Sequence, residues 1–176
     1  AQQVLEIVQS EVRYPDKLKY QLNLTWADFY LKQQNAEKAE PYIKEAIEQA
    51  RKKKDRLRLN FIYAQINEKL NKYTIASEYY EKVIKMNPPY EMAFNARIKR
   101  ASMYTGGKTG STIKSELLKM LKDDKNKEYL DQIYYALGDI ELKNKNTEQA
   151  VEYFKMSANT SVNNQNQKGL SYFALA

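Results

Sequence analysis

Apolar and polar positions follow a helical period along most of this chain. The clearest stretch begins at Tyr73. Ala76, Tyr79, Tyr80, Val83 and Ile84 recur at i, i+3, i+4, i+7 and i+8, which places them on one helix face. Proline disfavours helical geometry in the residue before it, so Pro88 and Pro89 are expected to stop this helix, which the spacing runs from Tyr73 toward Tyr90. The pattern then returns at a fixed interval. Ala39, Ala76, Ile113 and Ala150 stand 37 residues apart, and four residues after each comes a bulky apolar side chain: Ile43, Tyr80, Leu117 and Phe154. The corresponding small position in the preceding helix is Ala27, Ala64, Ala101 and Gly138. A constant period predicts stacked copies of one helix pair, each too thin to bury its own apolar face. A helical bundle without repeats would not require it.

In chain order, residues 1–12 read as the second helix of an earlier pair, with Val4, Leu5 and Val8 on its apolar face, followed by a turn at Tyr14-Pro15-Asp16. The first full repeat spans about residues 17–53. Its first helix carries Leu22, Trp26, Phe29 and Tyr30; Asn35 is the expected N-cap of its second, whose stripe is Ala39, Tyr42, Ile43, Ala46, Ile47 and Ala50. Trp26, the only tryptophan, reads as core at this spacing. Residues 57–90, 91–127 and 128–164 form the next three repeats, with Asn146 or Thr147 capping the last second helix. Residues 163–167 read as a polar connector, and residues 168–176 open a fifth unit with Tyr172, Phe173 and Leu175.

Composition narrows the chemistry. The chain has no cysteine and no histidine, which removes thiolate nucleophiles, disulfides and imidazole bases or ligands. No run approaches the ~18 apolar residues of a membrane span. Carboxylates alternate with lysines on helix faces, as at Glu37, Lys38 and Glu40, and read as solvated pairs. The formal charge of +7 favours acidic partners in principle, while a lysine-rich solvated exterior explains it more simply. Residues 51–58, RKKKDRLR, are the densest basic run; they read as cations complementing the dipole at a helix end rather than as a phosphate grip. Thr105-Gly106-Gly107-Lys108-Thr109-Gly110-Ser111 is similar to part of a phosphate-binding loop but lacks its first glycine, Ser102 standing there, and no strand precedes it. Glycines supplying positive φ for a helix–helix turn explain it better. The sequence therefore carries no catalytic residues, metal ligands or cofactor site, and no enzyme is expected.

The last copy, YALGDIELKNKNTEQAVEYF, ending at Phe154, has an aromatic, a Leu-Gly pair and a later Ala-aromatic pair. With the period, this resembles the tetratricopeptide repeat, whose copies run about 34 residues. The three additional residues per copy are placed between repeats. The resemblance implies an all-α fold: a right-handed α-solenoid of antiparallel helix pairs, about four full repeats with partial repeats at both ends. Residues 1–176 would be one domain, a fragment of a longer protein. It further implies a concave groove lined by the first helices. Leu24, Phe61, Ile98 and Tyr135 fall at one groove position; Asp28, Gln65, Ser102 and Asp139 lie one turn later, and Gln21, Arg58, Asn95 and Gln132 one turn earlier. Such a groove suits an extended peptide or a partner helix. The carboxylate clamp of the best-known grooves is not matched, because apolar residues stand at its lysine position.

Residues 54–98, above all MNPPYEMAFNARI (Met86 to Ile98) and DRLRLNFIYAQ (Asp55 to Gln65), are similar to the repeat region of the Bacteroidetes gliding-motility and type IX secretion lipoproteins of the SprE/PorW family. That resemblance implies a periplasmic, outer-membrane-associated scaffold, its lipid anchor outside this chain, joining motor and ring parts to a translocon. In this segment Pro88 and Pro89 fix the helix exit, Tyr90, Met92 and Phe94 pack at the next entry, and Asn95, Arg97, Lys99 and Arg100 are expected to be available for contacts. The expected partners are envelope proteins. The other readings are a generic adaptor holding a peptide or helix in its groove, and a nucleic-acid-binding helical repeat, which lacks exposed aromatics beside the basic run and is not favoured.

Overall fold

Among the described residues each predicted helix is present. The computed structural model describes residues 2–10, 16–107 and 109–176. The expected turn residues Tyr14 and Pro15, the helix end at Val12, and Lys108 of the glycine loop lie outside the described residues. The helices are α1 Gln2–Ser10, α2 Asp16–Lys32, α3 Ala36–Gln49, α4 Lys53–Lys69, α5 Tyr73–Lys85, α6 Tyr90–Ser102, α7 Gly110–Leu121, α8 Leu130–Lys143, α9 Thr147–Thr160 and α10 Gln165–Leu175, with a 3-10 helix at Asp124–Tyr129. Among the described residues there is no strand. The chain divides into two compact units, Ala1–Pro88 and Pro89–Ala176.

In the first unit α2 pairs with α3 and α4 with α5, and α3 packs on α4. Every position of the 37-residue register is buried here: Ala27, Ala39 and Ile43, then Ala64, Ala76 and Tyr80. Trp26 is 2% exposed and clusters with the rings of Tyr30 and Tyr42, 5.4 and 5.6 Å away and near-parallel to both, the two tyrosines being 5.8 Å apart. The turns inside the pairs share one construction. Gln34 and Asn71 have φ of 59° and 56°, so the chain reverses through a left-handed residue. Gln34 N–H donates to Leu31 O and Asn35 N–H to Tyr30 O; Asn71 N–H donates to Glu68 O and Lys72 N–H to Asn67 O. This is the Schellman closure of a helix C-terminus. Asn35 then caps α3, its Oδ1 accepting from Lys38 N–H at 3.0 Å.

The stop after α5 differs from the expected one. The helix ends at Lys85, before the prolines, and Asn87 takes the left-handed conformation at φ 50°. Pro88 stands where the second Schellman donor would be and has no N–H to give. Proline thus blocks continuation behind a turn that Asn87 makes. Helices α2 and α4 have 17 residues against 14 and 13 in α3 and α5, and the first turn of α4 contains residues 54–56, in the stretch between repeats where the additional length was expected.

In the second unit α8 packs against α6, α7 and α9, and α10 lies on α9. The register holds: Ala101, Ile113, Leu117, Gly138, Ala150 and Phe154 are buried. A Cβ at Gly138 would stand 2.6 Å from the Phe154 ring, so only glycine fits between α8 and α9. Lys145 repeats the left-handed turn at φ 65°, with Lys145 N–H donating to Leu142 O and Asn146 N–H to Glu141 O. The α6–α7 turn is built otherwise: Gly106 and Gly107 have φ of 111° and 99°, as the loop reading requires. Asn146 is the N-cap residue of α9, as expected, with its amide donating to Glu141 Oε2 at 2.7 Å and no side-chain cap bond. One expectation is corrected. The polar connector is shorter than residues 163–167, because α10 starts at Gln165, capped by Asn164. A buried polar seam fixes α10: Ser157 Oγ donates to Asp131 O at 2.7 Å and lies 2.7 Å from Ser171 Oγ.

Candidate functional site

The helical spacing of Tyr20, Leu24, Ala27 and Leu31 puts them on one side of α2. Arg58, Leu59 and Ile62 come from α4 to face them, and the two rows enclose a cleft of about 300 Å³ in the first unit. Asp28, Ile43 and Asp55 complete its walls. Leu24, Leu31 and Ile62 are half-buried against the core, so the floor is apolar and partly open. Charge sits at the rim: Asp28 and Arg58 are exposed, and Asp28 pairs with Lys32 at 2.6 Å. Burial raises the Tyr20 hydroxyl above its ordinary pKa; Asp55 raises it further and Arg58 opposes. Those three polar groups therefore meet at one end of the cleft.

Three predicted groove residues, Leu24, Asp28 and Arg58, are thus brought together. Phe61 is not among the lining residues: it is half-buried, its ring 5.6 Å from that of Tyr80, and serves its own pair. Gln65 is half-buried on α4 and does not line the cleft. Tyr20, Leu31, Ile62 and Asp55 were not singled out by the sequence reading, although the i, i+4, i+7, i+11 spacing from Tyr20 was there to be read.

The second unit disperses its predicted residues. Asn95 is exposed, its amide donating to Glu91 O at 2.9 Å, and it edges a cavity of about 130 Å³ with Tyr90, Phe94 and Tyr129. Ile98 packs against the core. Tyr135 lies 5.3 Å from Phe154, its hydroxyl pKa raised by burial and by Asp139. Asp139 pairs with Lys143 at 2.7 Å, and Lys143 Nζ also donates to Ser102 O. In the family-like segment, Pro89 is the N-cap of α6, its carbonyl accepting from Ala93 N–H. Tyr90 donates to Lys125 O or to Asn126 Oδ1. Arg97 is half-buried and lines a cavity of about 280 Å³ with Glu116 and Asp123. The expectation that Arg100 is available for contacts is overturned: it is 5% exposed and held by Glu116, Nη1 to Oε2 at 3.1 Å.

The basic run is also corrected. Only Arg51 and Lys52 follow the C-terminus of α3; Lys53 to Arg58 open α4, where the dipole is positive and cations are unfavourable. One residue does complement α3: Arg56 Nη2 donates to Ala50 O at 3.0 Å. Among the described residues no group of three acidic, histidine or cysteine side chains could hold a metal, and no helix is long and apolar enough to cross a membrane.

Compared with known families, the chain matches the tetratricopeptide repeat over residues 20–53, 57–90 and 131–156. The match leaves residues 54–56 between its first two copies, within the added first turn of α4, and passes over the α6–α7 pair. No curated protein matches the chain.

Proposed function

Starting from a chain that belongs to the tetratricopeptide repeat family, we propose that it is a non-catalytic scaffold whose α2–α4 cleft receives a segment of another protein. The observation that carries this reading is the cleft itself: an apolar floor of Leu24, Leu31 and Ile62 under a rim of Asp28 and Arg58. An apolar side chain of the partner gains by leaving water there, at roughly 25 cal/mol per Å² buried, and the rim sets its orientation. The partners are envelope components of a secretion and motility machine, and the protein acts in the periplasm at the outer membrane. That finer reading is supported by the resemblance of residues 54–98 to the gliding-motility and type IX secretion lipoproteins. The test is a pull-down of periplasmic and envelope proteins with this chain, with Leu24→Gln/Leu31→Gln as the groove control. Machine components captured by the native chain and lost from the variant, at unchanged helical content, are the expected result. Equal capture by both proteins would place binding elsewhere.

A further inference from the structure

The cleft does not stand alone. A second, more open cleft of about 630 Å³ lies beside it, with Tyr20 and Asp55 lining both. Its outer wall is the junction of α3 and α4, with Arg51, Lys52 and Arg56. Across residues 51–58 there are six cations and one carboxylate, Asp55. Arg51, Lys52, Lys53, Lys54 and Arg58 are exposed and make no ion pair among the described residues. Like charges this dense repel one another and gain from an acidic partner.

We propose that the segment received by the cleft is acidic: an apolar side chain seats between α2 and α4, and carboxylates next to it lie along Arg51 to Lys54. This rests on the groove-binding reading and specifies its partner. A protein segment fits better than nucleic acid, because Leu57 and Leu59 point inward and the run offers no exposed ring on which a base could stack. It fits better than a lipid surface, because no exposed apolar side chain within the run could insert.

The experiment uses fluorescence polarisation with the full chain. The probes are three labelled peptides: a phenylalanine flanked by glutamates, the same peptide with lysines for the glutamates, and the glutamate peptide with serine for phenylalanine. Oligo-uridylate is a fourth probe. The expected result is binding of the first peptide alone, weakened about tenfold by Arg51→Glu/Lys52→Glu/Lys54→Glu and falling with added salt. Because these side chains are exposed, circular dichroism should show the variant folded. Neutral Arg51→Gln/Lys52→Gln/Lys54→Gln should give an intermediate loss. Equal binding of glutamate and lysine peptides, with loss only in Leu24→Gln/Leu31→Gln, would overturn the acidic partner and leave the groove reading standing. Binding indifferent to both variants, or absent for every peptide, would overturn both. Tighter binding of oligo-uridylate would assign the patch to nucleic acid and overturn the proposal.

Discussion

Trp26 and Tyr42 in the first helix pair, and Tyr63 and Tyr79 in the second, are ring partners 5.6 and 4.4 Å apart. One period later, in the second unit, the same two positions are Arg100 and Glu116, joined as a largely buried ion pair. In the fourth pair they are Leu137, in the apolar core, and Tyr153, half-buried against it. A second position changes its partner's place as well as its charge. Glu40 in the first unit pairs with Lys72 and accepts from the Tyr63 hydroxyl, whose pKa is pushed up to about 12 by burial first and by Glu40 next. Its equivalent in the second unit is Lys114, which pairs with the buried Glu141, a residue equivalent to Asn67 and not to Lys72 or Tyr63. At the first two positions the register thus dictates where two side chains meet, while their chemistry changes from ring pair to ion pair when both partners change together. A buried ion pair has to overcome desolvation that two rings never meet. The α6–α7 pair, which holds it, is also the one the family match passes over.

The largest expected effect is at the tightest register position. Gly138→Leu should cost about 3 kcal/mol or more, because Phe154 already occupies the space of a Cβ. Far-UV circular dichroism during urea unfolding checks this, and an unchanged midpoint would contradict the register. Gly138→Ala should lose less, and Phe154→Leu should rescue it.

Next is Glu141→Gln, at roughly 2 kcal/mol at neutral pH, since Lys114 is partly exposed and its pair is screened. Burial pushes the Glu141 carboxyl up, but hydrogen bonds from Lys114 and Asn146 outweigh it and leave its pKa below the ordinary 4.5. A lowered folded-state pKa contributes stability above the unfolded value and loses it as pH falls through the folded one. The difference between native and variant should therefore be full at neutral pH, shrink as pH falls below the ordinary 4.5 and close once the pH is below the folded-state pKa. A gap independent of pH would show that packing, and not charge, holds the pair.

Asn35→Ala should cost about 1 kcal/mol by removing the cap of α3. Trp26 lies in the same unit and its fluorescence reports the loss. The smallest effect is a gain. Gln34→Gly and Lys145→Gly should each stabilise by roughly 0.5 kcal/mol, because glycine takes positive φ without Cβ strain but loses more entropy. Asn71→Gly should gain less, asparagine already tolerating that conformation. Equal shifts at all three sites would mean that the shared turn is not strained.

The repeat register was legible because small and bulky residues recur at one interval, and burial obeys it in both units. The Asn35 cap and the glycine turn before Gly110 were legible for the same local reason. The Arg100–Glu116 pair was not. Charged residues on a helix normally read as solvated, and only the neighbouring helix reveals that these two fill a slot made for rings. The basic run was misplaced because its sequence does not say whether it ends α3 or begins α4. Half of the cleft was missed because family positions pointed to Phe61, whose ring Tyr80 draws to its own pair, while Ile62 takes the place at the floor.

The most direct test of an interchangeable slot is a double-mutant cycle at positions 100 and 116, read by urea unfolding and far-UV circular dichroism. Arg100→Tyr and Glu116→Tyr should each destabilise by about 2 kcal/mol, since each removes one member of the Arg100–Glu116 pair. The double variant, which restores the ring pair of the first unit, should recover most of that loss, with a coupling of about 1–3 kcal/mol. Losses that simply add would contradict the claim that these positions are one slot filled in two ways.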